Sequence, residues 1–135
     1  MKASLAVVLG TAGLLLVVRP ALAHHAFSAE FDANKPINLT GTVTKVEWTN
    51  PHAWFYLDIA DATGKVTNWA FELGGPNTLI RGGWTRNSLK VGEVVAVEGS
   101  RAKDGSPIAN AQVVTLKSTG KRLFAASSRG QQQQP

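Results

Sequence analysis

The segment Gly41–Ile59, GTVTKVEWTNPHAWFYLDI, sets the narrowest limits on the fold. From Ala53 to Ile59, Phe55, Leu57 and Ile59 fall on one side, and Trp54, Tyr56 and Asp58 on the other. A repeat of two belongs to a β-strand with one face inward. Before it, Leu39–Thr49 is rich in Thr, Val and Trp, residues suited to a pleated surface. Its apolar positions 39, 43, 46 and 48 do not hold one period. With Gly41 and a break near Thr44-Lys45, that irregularity predicts a bend or bulge that lets one strand serve two sides of a small barrel. Thr49-Asn50-Pro51-His52 forms the tight corner between the two strands.

Downstream, Asp61-Ala62-Thr63-Gly64 reads as a hairpin turn, with Gly64 free to take positive φ. A third strand is expected over Lys65–Leu73, placing Trp69 in phase with Phe71 and Leu73 and therefore buried. Gly74-Gly75-Pro76 stops it, and Asn77–Arg81 is at most a short helix ended by Gly82-Gly83. A turn over Trp84–Leu89 follows. Strand four is read at Glu93–Gly99, the turn Asp104-Gly105-Ser106-Pro107 next, and strand five at Ile108–Leu116. Three strands, a short helix and two strands is the element order of the OB-fold. The expectation is therefore an all-β, five-stranded Greek-key barrel over residues 39–118, with a short helix between strands three and four. Residues 119–135, ending in Gln131–Gln134, read as a disordered tail.

The N-terminus reads as an address. Lys2 precedes an apolar run, Leu5–Val18, and Ala21-Leu22-Ala23 has the form of a cleavage site. This is the pattern of a secretory signal peptide over residues 1–23. The run falls short of the ~20 residues a membrane span requires, so no stable span is expected after cleavage, and the chain is expected in a bacterial periplasm or secreted. Loss of Lys2 and Arg19 would leave 12 basic and 9 acidic residues, a formal charge of +3 against +5 for the whole chain. That weak, dispersed charge argues against nucleic acid as a partner. The absence of cysteine excludes disulfides and thiolate ligands. Residues 24–38 read as an N-terminal arm pinned by Phe27 and Phe31, with Pro36 stopping any helix.

Several segments resemble a family of small exported bacterial proteins known as a domain of unknown function (number 6152). They are His24-His25-Ala26-Phe27, Phe31-Asp32, Leu39–Val43, Trp48-Thr49-Asn50-Pro51-His52, Trp69, Glu72, Arg81–Trp84 and Leu89–Glu93. The resemblance covers nearly all of residues 24–120 and implies export and an all-β fold. It carries no established activity.

Chemistry is then sought in the three histidines. Cleavage after Ala23 would give His24 a free α-amine beside its imidazole, two nitrogen ligands on one residue. With His52 as the third nitrogen, the set is a histidine brace, which suits Cu(II). His25 is a substitute ligand, and Glu30, Asp32 and Glu72 offer carboxylate oxygens. Zinc is the second choice, in a tetrahedral array such as His24, His25, His52 and Glu72. The plainer reading is an accidental terminal pair and a His52 that caps a turn. Copper binding or trafficking is favoured over oxidation chemistry, because a chain this small leaves little room for a polymer platform. The alternative is a carbohydrate or small-molecule binding module using Trp48, Trp54 and Tyr56, the aromatics around strands two and three. A structural or adaptor module for an envelope protein is the third.

Overall fold

The computed structural model describes residues 27–126. Residues 1–26, with the segment read as a signal peptide and the His24-His25 pair, and residues 127–135, lie outside the described residues. A short helical turn at residues 27–30 leads into six strands and one helix. These are β1 (Phe31–Glu47), β2 (Trp54–Ala60), β3 (Val66–Glu72), α1 (Pro76–Arg81), β4 (Val94–Ala102), β5 (Ile108–Leu116) and β6 (Arg122–Phe124).

The five-stranded barrel expected from the sequence is corrected to a six-stranded sheet in the order β3-β2-β1-β4-β5-β6. The physical reason lies on the outer edge of β5, which two strands share. Ile108–Asn110 pair in parallel with Ala70–Glu72 of β3, whereas Val113–Thr115 pair antiparallel with β6. β6 thus occupies the edge that a full β3–β5 ladder would need, and β3 and β5 meet along three residue pairs only. Ala125 spans the junction: its N–H donates to the Gln112 carbonyl and its own carbonyl accepts from the Gly74 N–H, both at 2.8 Å.

β1 is longer than its sequence signal, starting at Phe31 rather than Leu39. Pro36–Thr42 pair with β4 and Thr42–Glu47 with β2. The register with β2 shifts between Val43 and Lys45, where the sequence predicts the irregularity. The chain bends close to its neighbour here. A Cβ on Gly41 would sit 2.5 Å from the Asp58 carbonyl oxygen.

The core lies on the Phe55/Leu57/Ile59 face of β2, as the alternation requires. Phe55 and Phe71 are directly paired across β2 and β3, and their rings stack at 5.0 Å. Trp69 stacks on Phe71 at 6.2 Å, so an aromatic cluster spans the two strands. Trp69 is in phase with the core but only half-buried, because it reaches the rim, where the Arg101 guanidinium lies 5.3 Å from its ring. α1 and the following turn add Leu79, Trp84 and Leu89 to the core. The Trp84 indole donates to the Phe124 carbonyl at 2.8 Å and so ties this segment to β6. Such a bond contributes about 1 kcal/mol, and leaving it unmade in the interior costs more.

Gly99 in β4 is buried, and a side chain there would overlap the Asn110 carbonyl of the neighbouring strand. Gly99→Ala is expected to lower stability by about 1–3 kcal/mol, read as a reduced urea midpoint with an unchanged slope.

Candidate functional site

Because β2 alternates strictly, burying Phe55 and Leu57 turns Trp54, Tyr56 and Asp58 to the opposite face. Register carries that face across the sheet. Trp54 is paired with Glu72, Glu72 with Asn110, and Asn110 with Ser100. Over part of this second face sits a separate small cluster of Phe27, Phe31, Ala102 and half-buried Ile108. The Phe27 and Phe31 rings meet at 5.7 Å, the first in the helical turn and the second at the start of β1, where the sequence suggested an irregular arm.

Between the pinned segment and the sheet is an open cleft of about 400 Å³. Ala29, Glu30 and Phe31 form one wall. Trp54 forms another. The β4–β5 turn completes it with Ala102, Lys103, Asp104, Ser106 and Ile108. The two walls are joined where the Lys103 N–H donates to the Glu30 carbonyl at 2.8 Å. Asp104 is committed to its own turn: its Oδ1 accepts from the Ser106 N–H at 2.9 Å and the Ser106 hydroxyl at 2.6 Å. These bonds hold its carboxyl below the usual carboxylate range.

Next to the cleft, a carboxylate is buried. Glu72 is 6% exposed. His52 Nδ1 lies 3.4 Å from Glu72 Oε1, and Asn110 Nδ2 donates to the same oxygen at 3.3 Å. Burial pushes the Glu72 carboxyl up, nearby Glu30 adds to the rise, and His52 and Asn110 oppose it. The corner that carries His52 is held by the Thr49 hydroxyl, which donates to the His52 carbonyl at 3.1 Å. The Asn50–Pro51 bond is cis.

The metal-site and copper-binding expectation is corrected for the described residues: among them no group of three His, Cys, Asp or Glu side chains comes together. His52 and Glu72 meet as a pair. Asp32 instead accepts the Asn34 N–H at 2.9 Å near the start of β1. His24 and His25 lie outside the described residues.

Of the three aromatics named as ligand-binding candidates, Trp54 alone lines the cleft. Trp48 packs against the main core. Tyr56 shares the Trp54 face, but its hydroxyl donates to Glu47 Oε2 at 3.0 Å and the Lys45 ammonium sits 5.3 Å from its ring. Lys45 also pairs with Glu47. The sequence reading missed the contribution of Lys103 and Ile108, and treated Asp104-Gly105-Ser106-Pro107 only as a turn. The signal available was its position, directly opposite the two pinning phenylalanines once β1 and β4 pair.

With fold and cleft described, the comparison with known proteins is decisive about kinship. The model of the Family of unknown function (DUF6152) matches residues 12–111. The chain belongs to this family. No curated protein matches it. Among the described residues, no helix is long and apolar enough to cross a membrane.

The raised Glu72 carboxyl has a definite consequence for pH. A carboxyl whose folded-state pKa exceeds its unfolded value binds more protons when folded. Its contribution to stability is therefore largest below the ordinary glutamate value and is lost as pH rises through the raised one. The difference in stability between the native chain and Glu72→Gln should change with that sign over this acidic window and level off above it, as measured by urea unfolding at a series of pH values.

Proposed function

We propose that this member of the DUF6152 family is an exported binding module for a small polyhydroxylated ligand, of the size of one or two sugar rings, held in the cleft beside Trp54. The single observation that supports this is the cleft itself. It has about 400 Å³ of space, within the range of small-ligand sites, and combines one large aromatic wall with polar groups on the opposite side. A flat indole suits the C–H face of a sugar ring, since it removes apolar area from water without a polar atom being stranded. The carboxylate of Glu30 and the backbone of the β4–β5 turn supply hydrogen-bonding groups at the rim, where hydroxyls can meet them.

The export part of the proposal rests on the signal pattern in residues 1–23. The stacked Phe55–Phe71 pair lies in the core on the other face of the sheet and contributes rigidity instead of contact. A site built on a packed strand holds its aromatic wall in place before ligand arrives, which lowers the ordering cost of binding.

Isothermal titration calorimetry with a panel of neutral mono- and disaccharides tests the proposal. Saturable binding is expected, and Trp54→Ala should weaken it about tenfold or more, equivalent to about 1.4 kcal/mol. Trp48→Ala, a change on the core side, serves as the control. Absence of saccharide binding, or equal affinity for Trp54→Ala and the native chain, would overturn the proposal.

A further inference from the structure

Glu72, His52 and Asn110 meet beside the cleft without lining it, and their arrangement leaves one atom unanswered. His52 Nδ1 stands 3.4 Å from Glu72 Oε1, and Asn110 Nδ2 donates to that same oxygen at 3.3 Å. Both contacts therefore end on Oε1. Asn110 is fully buried, and its Oδ1 has no hydrogen-bond partner. A carbonyl shut away from water without a donor is uncommon and costly. An amide presents its N–H and its C=O side by side, and here the N–H is already directed at Glu72. A carboxylic acid answers both at once: its carbonyl oxygen accepts the N–H, and its O–H donates to the amide C=O. An ionised carboxylate cannot do this, because it has acceptors only.

We propose that these three side chains form a proton-operated latch. With a proton on Oε2, Glu72 donates to Asn110 Oδ1 and closes a two-bond acid–amide ring with β5. Without it, the carboxylate turns its charge to His52, in the corner between β1 and β2. On release the proton passes to water and the electron pair stays on the carboxylate. His52 is only partly buried, so the site has a route to solvent. The neutral state satisfies Oδ1 and leaves His52 an ordinary hydrogen bond. The ionised state gives His52 a stronger, charge-assisted bond and strands Oδ1 again. Each state serves one neighbour at the other's expense, so pH decides whether Glu72 holds β5 or the corner more firmly. The latch stands apart from the saccharide reading and does not depend on it.

The surroundings favour the proton. Among the described residues, charge reaches Glu72 from two elements: His52 in the corner supports the ionised carboxyl, and Glu30 in the helical turn opposes it. Burial opposes it most strongly. Trp54, paired with Glu72 from β2, and Asn110 on β5 carry no charge. A carboxylic acid kept neutral by its surroundings so that it can donate a hydrogen bond is an established arrangement in protein interiors.

Carbon and nitrogen NMR of the isotope-labelled full chain, followed from about pH 4 to about pH 8, tests the latch. The Glu72 carboxyl carbon should change at higher pH in the folded chain than in the urea-unfolded one, and the Asn110 side-chain amide resonances should move with the same midpoint. Glu72→Gln supplies a neutral donor at every pH and should hold the Asn110 resonances at their low-pH position throughout. His52→Ala removes the group that supports the ionised carboxyl and should move the Glu72 transition to higher pH. Asn110 resonances that stay still across the Glu72 transition would overturn the proposal, as would a folded-state transition no higher than the unfolded one. Both of these readings come from the native chain and stand even where a variant fails to fold. An unmoved transition in a folded His52→Ala would overturn the exchange of partners.

Discussion

A strand as long as β1 cannot run straight through a domain of this size. Its 17 residues would span about 55 Å if fully extended, whereas a compact unit of about 100 residues has a radius of gyration near 13 Å. The chain resolves this by changing partners midway. The first half of β1 hydrogen-bonds to β4, the second half to β2, and the handover falls at Thr42–Val43, beside Gly41 and the register shift. Everything else follows from that bend. It brings β4 and β2 to opposite edges of one strand, curls the sheet around the Phe55–Phe71 core, and lets the end of β3 reach the start of β5.

The bend also explains why a domain this small has an organised second face. Most of the apolar area lies inside the curl, so the outer face would be expected to hold solvent-facing polar residues only. Instead, the chain before β1 folds back as a helical turn, and Phe27 and Phe31 settle on Ala102 and Ile108. Glu72 and Asn110 are two polar side chains buried on that same face. Burying a carboxylate is unfavourable unless partners compensate, and His52 and Asn110 are those partners. The cleft is the part of the outer face that the cover leaves open.

Much of this architecture can be read from the residues alone. The alternation in β2, the turn at Gly64 with its φ of +85°, the bounds of β5 and the irregularity in β1 are local properties, and local properties leave local marks. That the sheet stays open was not legible for a physical reason. Whether β3 or β6 owns the edge of β5 is decided by a competition between segments far apart in sequence, and Arg122–Phe124 is too short to carry a strand period. The start of β1 was missed for a related reason: Asn34, Lys35 and Pro36 are poor strand formers, and the pairings of Phe31 and Pro36 with β4 flank a second register shift. At the site, Glu72 and Trp54 were legible as residue types, and their pairing was implicit in the hairpin register. The other wall was not. It depends on the β4–β5 turn meeting the chain at the opposite end of the domain.

The bridging role of Ala125 bears on the order in which the molecule can be completed. Its two backbone bonds, to Gln112 and Gly74, join the strand edges that β3 and β6 divide between them, and Leu123 and Ala125 fill core positions beside that junction. These groups come from the extreme end of the described chain. A polypeptide emerging from the ribosome can form its first hairpin early, yet it has no means of sealing this seam until Ala125 has been added. The β2–β3 hairpin can thus form from neighbouring sequence, whereas the junction beside Gly74 waits on residues far along the chain.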